Sequence, residues 1–221
     1  MKLYIVATPI GNLSDITLRA IETLKGVDLV LSEKPLVTKR LFDRYNIETP
    51  LRQLNEHAKE NDYSHAIDGL KNGKDIAYVS EAGTPGISDP GGKLVEKVLE
   101  ALKKEAEVIP IPGPSALASI VSIAGINLNR FLFLGFLPHK NKRQKFLKII
   151  AESKLPVIVY ESVHRIEKFL LELIDLGIEE IILGRELTKK FETIYRGNPK
   201  SVLENLRADK IKGEFTAIIN R

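Results

Sequence analysis

Glycine and proline are concentrated in Glu81-Ala82-Gly83-Thr84-Pro85-Gly86-Ile87-Ser88-Asp89-Pro90-Gly91-Gly92 and in Pro112-Gly113-Pro114-Ser115-Ala116, and Thr8-Pro9-Ile10-Gly11-Asn12 repeats the layout. Glycine lets the main chain take positive φ and approach a ligand, while proline stiffens the same turn. A long stretch so composed reads as a preformed cradle of amides and carbonyls for a polar small molecule, with an ordinary turn as the plainer alternative. Ser115 and Ala116 can present amides and a small side chain to a carboxylate or ribose, or serve only as a helix cap. Charge gathers in two further places, Tyr160-Glu161-Ser162-Val163-His164-Arg165 and Gly184-Arg185-Glu186-Leu187-Thr188-Lys189. Such clusters at successive strand ends can face one pocket or form surface ion pairs.

Several chemistries are excluded. No Lys-Ser or Lys-Thr follows the glycines as a P-loop needs, and Gly-x-Gly-x-x-Gly is missing after the first apolar run, so a nucleotide-like ligand must be held differently. The chain contains no cysteine, which removes disulfides, thiolate zinc sites and a thiol nucleophile and fits a reducing compartment. His57, His65, His139 and His164 have no paired metal-ligand spacing, so no metal is expected. The net charge of +4 is mild, but Lys140, Lys142, Arg143 and Lys145 crowd into six residues after Pro138-His139. That cluster can contact phosphates or be a solvated helix face. A first strand that starts at once leaves no room for a leader, and no apolar run approaches the roughly 20 residues of a membrane span, so the expectation is a soluble cytoplasmic protein.

The elements that must position these residues alternate between strand and helix along all 221 residues, the pattern of α/β layering. Expected strands are Leu3–Ala7, Leu29–Leu31, Ile76–Val79, Val108–Ile111, Phe131–Phe136, Val157–Tyr160, Glu180–Leu183, Glu192–Tyr195 and Phe215–Ile219. Ser14 or Asp15 is expected to cap a helix carrying Ile16, Ala20, Ile21 and Leu24 on one face. Further helices are expected over Val37–Tyr45, Ala58–Asn72 and the stretch bearing Leu94 to Leu102, then over Ser115–Ala124, buried all round, and a basic one over Asn141–Ala151. Helices over Val163–Leu176 and Pro199–Leu206 complete the series, the last with Asn198-Pro199 as cap and first turn. A proline-rich joint divides the series into an amino-terminal α/β domain, 1–113, and a carboxyl-terminal α/β domain, 114–221. In a parallel sheet the glycine loops would gather at the carboxyl edge, where ligands bind.

The three loop motifs, continued by Gly135-Phe136-Leu137-Pro138, Tyr160-Glu161-Ser162-Val163-His164-Arg165 and Arg185-Glu186-Leu187-Thr188-Lys189, resemble the ribosomal RNA small subunit methyltransferase I family, similar in fold to the tetrapyrrole methylases. The resemblance runs over nearly the whole chain. It implies a two-domain α/β fold with a cofactor cleft between the domains, a homodimer, and transfer of a methyl group from S-adenosylmethionine to the ribose 2′-hydroxyl of a cytidine in the decoding centre of 16S rRNA. Carried onto matching positions, Pro9, Gly83, Thr84, Ile87, Ser115, Ala116, Tyr160 and Glu161 would surround the cofactor.

Methyl transfer of this kind is an in-line displacement that relies on positioning, and a poor hydroxyl nucleophile gains from a nearby base. The charged clusters offer Glu161 or Glu186 for that role, with His164, Arg165, Arg185 and Lys189 expected to orient RNA and Lys140, Lys142, Arg143 and Lys145 as candidate phosphate contacts. Two departures touch substrate handling: Glu33-Lys34-Pro35-Leu36 stands where the family reads Glu-Asp-Thr-Arg, and the sequence stops at Arg221, where longer members continue. Glu81 replaces a usual Asp. Because fold alone does not choose the acceptor, a tetrapyrrole or protein methylase and a silent cofactor-binding rRNA module are the alternatives.

Overall fold

Apolar runs bounded by glycine and proline become strands, and the amphipathic stretches between them become helices. In the computed structural model, which describes residues 1–140, 142–209 and 211–220, the chain divides into units Met1–Ser115 and Ala116–Arg221. The first contains β1 (Lys2–Val6), α1 (Leu18–Gly26), β2 (Leu29–Ser32), α2 (Pro35–Tyr45), β3 (Leu51–Gln53), α3 (Glu60–Lys71), β4 (Ile76–Val79), α4 (Gly91–Leu102) and β5 (Glu107–Ile111). Its strands are parallel in the order β3-β2-β4-β1-β5.

A parallel sheet covered on both faces needs strands that are apolar on both faces, and β4 is one. Ile76 and Tyr78 join a core with Tyr63, Leu70, Leu94 and Val98 from α3 and α4. Ala77 and Val79 point the other way, to Ala20, Leu24, Leu41 and Phe42 of α1 and α2. The expected cap of α1 is corrected. Asn12 closes a short 3₁₀ turn over Leu13–Asp15 by accepting from the Ser14 amide, and Thr17 caps the helix by accepting from the Ala20 amide at 3.1 Å. Extended backbone at Ile16 separates the two and stops the helix from starting earlier.

The second unit contains α5 (Ala116–Ser122), β6 (Leu132–Phe136), α6 (Arg143–Glu152), β7 (Val157–Ser162), α7 (Ile166–Asp175), β8 (Glu180–Arg185), β9 (Thr193–Gly197), α8 (Pro199–Ala208) and β10 (Glu214–Asn220). The strand order is β6-β7-β10-β8-β9. β6 and β7 are parallel, β10 is antiparallel to β7 and β8, and β9 is antiparallel to β8. Consequently β6, β7 and β8 end at the same edge. Val157, Val159, Leu183, Phe215 and Ala217 pack beneath Leu147, Phe169, Leu173 and Leu203 of α6, α7 and α8.

Helix α5 also differs from expectation, since Ile120 is its one buried residue. Its small residues permit a close approach instead: a Cβ on Gly184 would lie 2.8 Å from Ile120 Cδ1, so glycine at that point of β8 admits the helix. The expected start of the basic helix, Asn141, lies outside the described residues, and α6 begins at Arg143. No helix among the described residues is long and apolar enough to cross a membrane.

Candidate active site

Because β4, β1 and β5 are neighbours running in one direction, the loops that leave them meet at the carboxyl edge of the first sheet. The chain joins them with main-chain bonds. Thr8 and Gly83 exchange both amide-to-carbonyl hydrogen bonds at 3.0 Å, an isolated antiparallel bridge that couples the first loop to the second. Thr84 Oγ1 donates to the Pro114 carbonyl at 3.0 Å and couples the second loop to the third. Gly83 has φ +81°, and a Cβ there would lie 3.3 Å from Ile10 Cγ2. Pro9 is buried, while Thr84, Ile87 and Ser115 are half-buried beside these contacts.

The long glycine loop is held from inside. Asp89 accepts from the Gly86 amide with both oxygens at 2.9 Å, from Ile87 at 3.2 Å and from Gly91 at 2.7 Å. These amides, expected to face a ligand, serve the loop's own conformation. Next to them, the Tyr78 hydroxyl is enclosed, and burial first, then the nearby Asp89 and Glu33 charges, push its phenol well up. Two enclosed hydroxyls stay unsatisfied near the loops: Tyr78 OH and Thr8 Oγ1, the latter on a residue 5% exposed, have no hydrogen-bond partner among the described residues. A buried hydroxyl of this kind points to a missing bound group.

The family departure after β2 has a local counterpart. Lys34 Nζ contacts Glu81 Oε2 at 2.5 Å, and Glu33 Oε2 accepts from the Glu81 amide at 2.9 Å. Lysine at 34 is therefore matched by glutamate at 81, and both lie at the rim of the same loop. Pro35 opens α2 where its missing N–H costs nothing.

In the second unit the charged residues are mostly braces. Glu161 is 1% exposed; Oε1 accepts from the Ser162 amide and Arg165 Nε at 2.8 Å, and Oε2 faces Arg143 at 3.4 Å. Arg143 in turn holds Glu172 at 2.7 Å and the Pro138 carbonyl at 3.3 Å, and Arg165 reaches the Leu137 carbonyl at 2.6 Å. This enclosed quartet contains two residues expected to act on substrate. Both Glu161 oxygens face amide or arginine partners, and Arg143 is 3% exposed, so in this structure each is engaged within the chain. The physical reason is the alternation of β7, which sends Tyr160 and Glu161 to opposite faces, Glu161 toward α6 and α7. Both were expected around one ligand. Tyr160 lies against Phe133 and Phe136, with ring centroids 5.1 Å and 5.4 Å away.

A second brace follows β8. Arg185 is buried and donates to the Lys212 carbonyl at 3.0 Å and to the Tyr195 hydroxyl at 3.4 Å. Lys189 Nζ lies 2.8 Å from Glu186 Oε1 and 2.9 Å from Glu214 Oε2. Burial would raise the Glu186 carboxyl, but the Lys189 bond, the Glu214 amide and the Lys189 and Arg185 charges outweigh it and hold the group below its usual range. Arg165, Arg185 and Lys189, expected to orient RNA, are thus committed to intramolecular partners. His164, Lys140, Lys142 and Lys145 are exposed, and Ala116 is half-buried at the start of α5.

The tetrapyrrole (corrin/porphyrin) methylase family profile matches residues 2–202. Ribosomal RNA small subunit methyltransferase I of Leptospira biflexa is 43% identical over 221 residues, covering 99% of this chain and 90% of that protein. The proteins of that name from Thermotoga maritima and Bacillus subtilis are 39% and 42% identical, with 98% and 74% of their lengths covered. Among solved structures, diphthine synthase superposes with a TM-score of 0.76 at 15% identity, covering 99% of this chain and 90% of that one. Cobalt precorrin-4 methyltransferase gives 0.71 at 18% identity, with 98% and 94% covered. At such identities these two likenesses describe the fold.

Proposed function

The chain belongs to the ribosomal RNA small subunit methyltransferase I family, within the tetrapyrrole methylases, and from that premise we propose that it methylates the ribose 2′-hydroxyl of a decoding-centre cytidine in 16S rRNA, using S-adenosylmethionine. The observation that carries this reading is the interlock of Thr8, Gly83, Thr84 and Pro114, which leaves the Thr8 hydroxyl buried and, among the described residues, unpartnered at the edge where ligands of such sheets bind. A small ligand rich in hydrogen-bonding groups fits that edge.

S-adenosylmethionine, when bound, supplies a methyl group on a sulfonium. Pro9, Gly83, Thr84, Ile87 and Ser115 would hold it, with Thr8 Oγ1 as an additional polar contact. The glycine at 83 keeps the main chain open to the ligand, and the Thr84–Pro114 bond fixes the spacing of two walls. With Glu161 and Glu186 engaged by arginine and lysine partners, the hydroxyl proton would pass to solvent water. Positioning then supplies most of the rate. Lys140, Lys142 and Lys145 would meet RNA phosphates through exposed ammonium groups. The protein would act in the cytoplasm as a homodimer, which sedimentation of the purified chain would check.

The deciding experiment supplies labelled S-adenosylmethionine together with unmodified small ribosomal subunits, free rRNA and a tetrapyrrole, followed by nucleoside analysis. The expected product is 2′-O-methylcytidine. Label in the tetrapyrrole, in protein or at another nucleoside position would overturn the assignment, and cofactor binding without transfer would mark a silent recognition module.

A further inference from the structure

The turn between β8 and β9, residues 186–192, is more tightly built than a hairpin connection requires. Glu186 and Thr188 both adopt left-handed backbone, with φ of 52° and 66°. Neither is glycine, and a left-handed conformation is strained for a residue with a Cβ, strain that concentrates at functional positions. The turn is braced by contacts within the chain. Lys189 ties Glu186 to Glu214, the Glu192 carboxylate accepts from the Thr188 amide at 2.6 Å, and Leu187 is buried against Gly184.

What this frame presents outward is an aromatic ring and a cation. Phe191 is 67% exposed, and Lys190 Nζ stands 5.6 Å above its ring. The nearby acids have partners within the chain: Glu186 and Glu214 pair with Lys189, Glu192 accepts from the Thr188 amide, and Asp209 accepts from the Tyr195 hydroxyl at 2.5 Å. Lys190 and Lys212, both exposed, remain on the outer side of the turn. Since β6, β7 and β8 end together, Lys140, Lys142 and His164 lie along the same sheet edge, with β6 and β8 about 14 Å apart at the usual strand spacing. A flat apolar face among cations suits single-stranded nucleic acid, whose bases stack while its phosphates are neutralised.

Resting on the RNA methyltransferase reading, we propose that the β8–β9 turn is a preformed RNA-docking tip in which Phe191 stacks on an unpaired base of the substrate and Lys190 contacts the adjoining phosphate. A protein surface facing the same ring is the rival that the test must separate.

Wild type, Phe191→Leu, Phe191→Trp and Lys190→Gln are compared as full chains for binding to an unmodified 16S rRNA fragment across a salt series, for S-adenosylmethionine affinity, for Tm and for sedimentation. Phe191→Leu keeps apolar bulk and removes stacking, so rRNA binding is expected to weaken about tenfold while cofactor affinity and Tm hold. Tryptophan restores binding. Lys190→Gln lowers the salt slope by about 0.7, the contribution of one single-strand phosphate. Unchanged rRNA affinity in Phe191→Leu would overturn the proposal, as would a change confined to sedimentation, which would place the ring in a protein contact. If wild type binds rRNA but transfers no methyl group, the methyltransferase reading falls and the binding comparison still decides the tip; if it binds no rRNA, both fall.

Discussion

Thr8 carries the clearest single-atom expectation. An enclosed hydroxyl without a partner is a burden on the folded chain, and a bound ligand that satisfies it removes the burden. Thr8→Val should leave the denaturation midpoint equal or higher, yet weaken S-adenosylmethionine by about fivefold in a calorimetric titration, the worth of one hydrogen bond. Weaker binding accompanied by lower stability would instead mean that valine disturbs the Thr8–Gly83 bridge. Glu186 gives a pH dependence with a definite sign. Its carboxyl is held below the usual value of 4.5, so the folded state favours the ionised form. The stabilisation is present above the unfolded value and is lost as pH falls through the lowered one. Wild type should therefore exceed Glu186→Gln in stability at about pH 7, and the gap should close in urea titrations as pH falls from the usual carboxylate range through the lowered one. At this scale the sequence was legible where main chain mattered: the three glycine and proline loops leave the ends of β1, β4 and β5, as the apolar runs before them indicate. It was less legible for charge. Tyr160 and Glu161 share a motif, but the period of a strand sends them apart, and that period was available from Val157-Ile158-Val159 alone.

At the level of elements, the Arg143–Glu161–Arg165–Glu172 quartet ties the end of β6, the first turn of α6, the end of β7 and the body of α7 into one frame. Removing one partner of an enclosed ion pair leaves the others uncompensated, at a cost of about 3 kcal/mol. Glu161→Ala should lose stability on that scale in urea denaturation while keeping its affinity for S-adenosylmethionine; a variant of normal stability that had lost turnover alone would return Glu161 to acid–base chemistry. Helix positions were readable from apolar periodicity. β3 was not, because Leu51-Arg52-Gln53 has no apolar run and gains its pairing only from β2 beside it. α5 was misread for the opposite reason: small apolar residues look interior in a sequence, yet here they let a single side chain, Ile120, reach a glycine in the sheet.

Across the whole molecule, the two sheets share a design in which parallel strand ends line one edge, and the groups that could meet a substrate lie along those edges. In the second unit the buried charges brace the frame, while Lys140, Lys142 and Lys145 are exposed. Replacing Lys140, Lys142 and Lys145 together by glutamine should reduce the slope of log affinity against log salt by about two, if each neutralises one single-strand phosphate. An unchanged slope in an rRNA titration would make them solvated surface. The α/β layering was legible because alternating strand and helix patterns leave few topologies, whereas the ion-pair frames were not, since they join residues far apart in sequence. The reciprocal amide bonds between Thr8 and Gly83 carry one more consequence. Neither residue can open without releasing the other, so their backbone hydrogens should trade for deuterium in step, as a single latch joining strand ends that are 75 positions apart in the chain.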